Sequence, residues 1–476
     1  MEEETRDRET DGVLRAAPGP EQTHDALHRR YGSLRRPVKA AAPRFASMLA
    51  GAGVAAGIVR AVALVKELVV AARLGTGDAL DAFLLALAVP LFVAAAFRSA
   101  ILSSLIPRFV AVREREGREA AGRLLASSLA RHALVAGAAS AVLALAAHPI
   151  VLVVASGFPP EKQLLTERLF VLLSALVLFD GLAAVWSAAL QAEGRIVVST
   201  LALVGGPLVT LLALAATEGR SPEILVFGTV AGALVEMVCV AVFLRASGWS
   251  PLALDRPWGA HVQDSTKGFA KLLVGIGVLA VNPIVDQGMA AHLGAGSVAE
   301  LGYGGRVVGG ILGIVAMAFG TAALPRYSMY AAQGDRSGLW RAFRRDGLFV
   351  VLFGTGTALA LAAVSEPVTR WLYERGAFSP ADTAVVARIQ SFCTVQLPGY
   401  LLGILGSRVL NALGRDWEIV VIAVAGALLN VLGNVVLSRW LGVAGIALST
   451  GLAYTITASA MSIIVARTLR RPAHTP

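Results

Sequence analysis

The stretch Ser47–Leu74, SMLAGAGVAAGIVRAVALVKELVVAARL, is long and apolar enough to cross a bilayer as one helix, yet it carries Arg60, Lys66 and Glu67 inside it. A helical span needs roughly 20 mostly apolar residues. A charge near the bilayer centre costs from about 3 to over 10 kcal/mol. Three such residues within two turns do not suit a plain anchor. They suit a helix that lines a polar cavity, and fixed cations there suit an anionic cargo.

The rest of the chain agrees with a membrane setting. It has 476 residues, 56% hydrophobic and 16% charged, outside the range of soluble globular domains. Unpaired backbone groups are not tolerated in lipid, so the spans are expected to be helices; no short alternating segments indicate a barrel. The 49 glycines and abundant alanine allow close helix–helix approach. Cys239 and Cys393 both fall in apolar segments and show no metal-ligand spacing.

Twelve spans are read at about 47–74, 80–107, 124–147, 164–190, 197–217, 222–244, 270–292, 298–325, 344–364, 383–412, 417–438 and 443–466. The Arg- and Lys-rich linkers, Arg29 to Arg44, Arg108 to Arg123, Arg245 to Lys271, Arg326 to Arg345 and Arg467 to Arg471, then share one side. By the positive-inside rule that side is cytoplasmic and holds both termini. The net charge of +10 therefore reports topology rather than nucleic-acid binding. Residues 1–45 read as a basic, partly disordered cytoplasmic tail without the apolar core of a signal peptide.

The chain also repeats itself. Ala71-Ala72-Arg73-Leu74-Gly75-Thr76-Gly77 returns as Ala290-Ala291-His292-Leu293-Gly294-Ala295-Gly296, and Ile106-Pro107-Arg108-Phe109 as Leu324-Pro325-Arg326-Tyr327. Gly157-Phe158-Pro159-Pro160 is echoed by Ala377-Phe378-Ser379-Pro380, and Leu190-Gln191-Ala192-Glu193-Gly194-Arg195 by Leu410-Asn411-Ala412-Leu413-Gly414-Arg415. All four pairs keep order, with offsets of 218 to 220 residues. The expected fold is an all-α polytopic membrane protein of about 12 transmembrane helices, arranged as two parallel six-helix repeats around a central cavity. The lobes are placed at 46–245 and 268–467, with a cytoplasmic linker at 246–267 and a tail at 468–476. Parallel repeats of this kind suit a transporter that works by alternating access.

Arg60, Val65-Lys66-Glu67, Ala71, the run LGTGDALDAF at 74–83, Pro90 and Leu105-Ile106-Pro107 resemble the start of the MurJ/MviN lipid II flippase family. The runs Leu372-Tyr373-Glu374-Arg375-Gly376-Ala377-Phe378 and Ala444-Gly445-Ile446-Ala447-Leu448 are similar to that family too. The likeness covers roughly 45–466, within a superfamily that also holds O-antigen and exopolysaccharide flippases and multidrug exporters. It implies a bacterial inner-membrane protein with a central cationic cavity, in which an undecaprenyl-pyrophosphate-linked glycan is turned over. On that likeness Arg60 and Lys66 occupy the two basic positions of the first helix, Lys standing where the family carries Arg. Arg306 takes the eighth-helix position, and Asp81 matches the acid of the DAF motif. The chain departs twice. The basic position of the second helix falls on Ala94, with Arg98 about one turn later as a substitute. The family usually has fourteen spans, the last two forming a groove for the lipid tail, against twelve here. Both departures favour a related cargo, such as an exopolysaccharide or O-antigen repeat unit, beside lipid II.

Arg60, Lys66, Arg306 and Arg98 are thus the expected cargo contacts, with snorkelling or pairing as the alternatives for Arg98, since guanidinium groups bind phosphate through charge-assisted, often bidentate, hydrogen bonds. Arg60 and Glu67, seven apart, share a helix face, whereas Lys66 lies about 100° away and is expected to pair with Glu67 only loosely. Arg306, between Gly304-Gly305 and Gly309-Gly310, faces the cavity or pairs with an acid such as Asp286. Arg408 reads as a snorkelling residue. Asp286 aligns with Glu67 through the repeat and is read as a cation-coupling residue, a lock between lobes, or a partner for an arginine. Asp180 and Glu236 are either proton or sodium relays or interhelical hydrogen-bond partners. Asp81 either caps its own helix or forms an outer gate salt bridge.

Enzyme signatures such as H-E-x-x-H, GxxxxGK[ST] and the nucleophile elbow do not occur in the sequence. No enzyme activity and no cofactor beyond a coupling Na+ or H+ are expected, with glycan-synthesis enzymes as possible partners. A cation-coupled multidrug exporter is the nearest alternative, but for cationic drugs it needs an acidic cavity. A non-transporting scaffold for envelope synthesis is the other; it predicts that the charges of the first span are dispensable.

Overall fold

A computed structural model describes residues 38–217, 221–250 and 282–470. The expectations for the tail before residue 38, for most of the linker, for 270–281 and for 471–476 lie outside the described residues. The chain divides into two compact units, Met1–Ala55 and Ala56–Pro476. The second holds the outer part of α1 (Val38–Leu74) and every later helix described.

Those helices are α2 (Asp78–Leu145), α3 (Ala147–Val154), α4 (Pro160–Leu173), α5 (Ala175–Ala192), α6 (Ile196–Leu201), α7 (Gly205–Ala216) and α8 (Pro222–Ala246) in the first half. The second half has α9 (Asn282–Ala290), α10 (Ser297–Ala332), α11 (Arg336–Ala363), α12 (Ser365–Tyr373), α13 (Pro380–Cys393), α14 (Gln396–Ala412), α15 (Asp416–Leu441) and α16 (Val443–Arg470). The chain is a polytopic all-α membrane protein. Eight helices among the described residues are long and apolar enough to cross a membrane. One of them, the 68 residues of α2, would run about 100 Å, over three times a bilayer's hydrocarbon thickness. It breaks helical geometry at Gly117, in the basic linker, and so contains two of the spans read from sequence. The other differences from twelve have local causes. α1 is not among the eight, 383–412 is broken between α13 and α14, and 270–292 is only partly described.

Each half has its own core. Ile101, Leu105 and Phe109 of α2 pack with Val185 and Leu190 of α5 and Leu244 of α8. Val308 and Tyr327 of α10 pack with Val350, Leu405, Val409 and Val465. A third core joins the halves, bringing Phe83 and Phe170 together with Val298, Tyr303, Tyr373 and Phe378. It sits at the end of the bundle opposite the basic linkers.

That end is sealed by the turns the repeat had marked. Ala377 N–H donates to Ala72 O at 2.7 Å. Gly75 has φ +59°, and a Cβ there would come 2.6 Å from Ala377 O. Only glycine suits both the backbone conformation and the approach. Thr76 donates to Asp382 at 2.5 Å, and Ser156 Oγ lies 3.2 Å from His292 Nε2.

Candidate functional site

Beneath the seal lies a cavity of about 570 Å³ between the halves, with Lys66, Glu67, Thr229, Gln287, Tyr303 and Arg306 among its polar lining. α1 and α10 meet along it in antiparallel register. Glu67 faces Arg306, and seven residues deeper on each helix Arg60 faces Gly313, whose hypothetical Cβ would lie 3.3 Å from Arg60 Nη2. Seven residues is nearly two turns, so both meetings fall on the same two faces.

Glu67 is the hub. Its carboxylate takes Lys66 Nζ at 2.9 Å and Arg306 Nη2 at 2.9 Å. The expectation of a loose Lys66–Glu67 pair is corrected, because Lys66 curls along the helix to reach its neighbour. Arg306 pairs with Glu67 rather than with Asp286. Two bases against one acid leave the group net positive. Glu67 is 16% exposed and Arg306 41%, so the cations are the more accessible part. Arg60 is exposed and has no carboxylate partner among the described residues.

Arg98 is placed elsewhere, which corrects its assignment to the cargo cavity. Within the first half its guanidinium pairs with Asp180 and, at 2.6 Å, with Glu236. Asp180 and Glu236 both pair with this half-buried arginine, the interhelical role foreseen as one alternative. The Arg408 guanidinium packs against Gly320 with Nε buried.

Asp81 is fully buried at the seal. It caps not its own helix but α10 of the other half, accepting from Gly296 N at 2.7 Å and Ala299 N at 2.8 Å. Orphan N–H groups at a helix start attract a carboxylate. Lys162 Nζ, which the sequence reading missed, completes the group at 2.8 Å from Asp81 and 2.5 Å from Asp78. Nearby, burial favours the neutral form of Asp382, yet donors from Thr76 and Ser379 outweigh it and hold its carboxyl below the ordinary range.

Asp286 does not share Glu67's surroundings, although the repeat aligns the two. It points into the second half, where it accepts from Asn430 Nδ2 at 3.1 Å, Asn434 Nδ2 at 2.7 Å and Thr450 Oγ1 at 3.1 Å. Its neighbour Gln287 faces the central cavity instead. The Oδ1 atoms of Asn430 and Asn434 are buried without a partner. Turning these amides over would offer oxygens beside the carboxylate. The sequence carried a signal for them, two asparagines one turn apart in an apolar helix.

A family model described as lipid II flippase MurJ matches residues 70–474. A probable lipid II flippase MurJ of Rhizobium meliloti (strain 1021) is 28% identical over 363 residues, 71% of this chain and 65% of that protein. The chain thus spans just under two thirds of that relative's length. Among solved structures, lipid II flippase MurJ in an inward closed conformation superposes with a TM-score of 0.71 at 19% identity, covering 87% of each chain. An inward-facing multidrug resistance MATE family transporter also gives 0.71, at 14% identity, covering 86% of this chain and 94% of its own. At these identities the structural likenesses speak for the fold alone.

Proposed function

The chain belongs to the lipid II flippase MurJ family, and from that premise we propose that it moves a polyprenyl-pyrophosphate-linked saccharide across the bacterial inner membrane. The observation that carries this reading is the net positive Lys66–Glu67–Arg306 group in the wall of the central cavity. A pyrophosphate crossing a low-dielectric region needs such fixed donors. Glu67 holds the cations in place and yields them to the headgroup. Arg60, deeper along the same faces, extends the cationic track. The two halves then rock about the cavity, alternately opening it at the sealed end and at the basic-linker end. On the positive-inside rule, that second end and both termini face the cytoplasm in this proposal. The protein acts as a transporter and not as an enzyme. The MATE-like fold allows a drug exporter, but a cationic cavity disfavours cationic drugs.

We propose further that Asp286 couples transport to a small hard cation, Na+ or H+. The carboxylate, the orphaned amide oxygens of Asn430 and Asn434 and the Thr450 hydroxyl fit an oxygen-liganded ion. The test of the transport reading is complementation of a flippase-depleted strain. Arg60→Ala and Arg306→Ala should each fail to restore growth at normal membrane levels. Full rescue by both would overturn the reading.

A further inference from the structure

A second cavity, of about 400 Å³, lies wholly within the C-terminal half, between α14, α15 and α16. At one end it is lined by Ser407, Ile419 and Met461, with Ile419 one turn from the start of α15 beside a basic-side turn. At the other it reaches Asn282, Asn430 and Thr450. The eleven residue steps from Ile419 to Asn430 span about 16 Å of helix. Asn430 and Thr450 both donate to Asp286, and Asn282 lies one turn from it on α9. The inner end of the cavity is therefore the wall of the Asp286 cage. Between the ends, Tyr400, Tyr454 and Thr457 contribute hydroxyl-bearing walls to an otherwise apolar tube.

α9 stands between this cavity and the central one. Gln287 lines the central cavity, while Asp286 bonds to residues of α15 and α16 that line the other. Adjacent residues on one helix thus serve different compartments. We propose that the second cavity is the coupling cation's own passage, running from the basic-linker end to Asp286 without entering the cargo cavity. Its ligand class is a small monovalent cation able to use carboxylate, amide and hydroxyl oxygens. Cargo bound between the halves then leaves ion entry and release unobstructed, and α9 becomes the partition through which the two sites communicate. This rests on the reading of Asp286 as the coupling residue.

The test uses the full chain with Cys239→Ser and Cys393→Ser, carrying Thr457→Cys. A membrane-impermeant cationic thiol reagent is applied to inside-out and right-side-out vesicles. Thr457→Cys should react about tenfold faster from the face that bears the basic linkers, reactivity following exposure. Prior modification of a thiol at Gly309→Cys, in the central cavity, should not protect it. A thiol that stays unlabelled from both faces, or is protected by the central modification, overturns the separate passage. A second variant guards against misfolding of the first. At Gly403 a Cβ would meet only Ala458 Cβ, at an ordinary 3.8 Å, so Gly403→Leu fills the tube without a backbone clash. It should slow exchange of radiolabelled Na+ about tenfold with little change in affinity, both rates falling together; unchanged exchange overturns the passage. If the parent neither binds radiolabelled Na+ nor takes up protons with transport, or if Asp286→Asn leaves that binding or uptake intact, the cation reading itself fails and the passage falls with it. If binding depends on Asp286 while Thr457→Cys stays unlabelled, the passage alone fails.

Discussion

At the scale of single residues, the proposed function turns on Glu67. On that proposal it competes with an incoming pyrophosphate for Lys66 and Arg306, with both ion pairs at 2.9 Å. Charge-assisted hydrogen bonds are worth about 1.5–3 kcal/mol each. Glu67→Gln keeps the shape and removes the competitor. Cargo binding to the purified variant should tighten about tenfold, while turnover falls because release is slowed. A purely structural Glu67 would instead weaken both. The charged members of this site, and Asp286 outside it, were legible in the sequence because a charge inside a span is expensive, which singled out Arg60, Lys66, Glu67, Arg306 and Asp286. Their partners were less so. Lys66 lies off Glu67's face, so helix geometry alone undervalued a flexible side chain. Gln287 and Tyr303 carry no charge and left little trace. Lys162 lies at a helix start, where a lysine is unremarkable.

At the scale of elements, α10 is shaped by what it must not carry. Gly309 and Gly310 line the cavity, and Gly313 leaves room for the Arg60 guanidinium. Gly313→Leu should displace Arg60 and reduce transport about as far as Arg60→Ala does, with normal insertion and membrane level. Gly356→Ala, which meets nothing within 4 Å on α11, is the matching control and should be neutral or stabilising by up to about 1 kcal/mol. Growth of the depleted strain and membrane level of each variant are the measurements. Most spans were legible from hydropathy. Which way each one faces was not, because helices apolar all round give periodicity nothing to report. The family likeness therefore went unopposed in offering Arg98 to the central cavity, although it turns toward Asp180 and Glu236.

At the scale of the whole molecule, the internal repeat was the most informative signal. It marked the turns at Gly75 and Gly296 that now meet across the seal, with Asp81 of one half capping α10 of the other. It misled only in equating Glu67 with Asp286, since paired positions in a repeat can face different compartments. The state described is closed opposite the basic linkers, so transport requires the Thr76–Asp382 contact to part. The decisive measurement is flipping of a polyprenyl-pyrophosphate-linked glycan in proteoliposomes by the chain carrying Cys239→Ser, Cys393→Ser, Thr76→Cys and Asp382→Cys. With the pair reduced, flipping should proceed, and it should be lost on adding Arg306→Ala. Oxidation to the disulfide should stop it, and reduction should restore it. Flipping that continues with the seal locked, or that survives Arg306→Ala, would contradict alternating access through a cationic cavity.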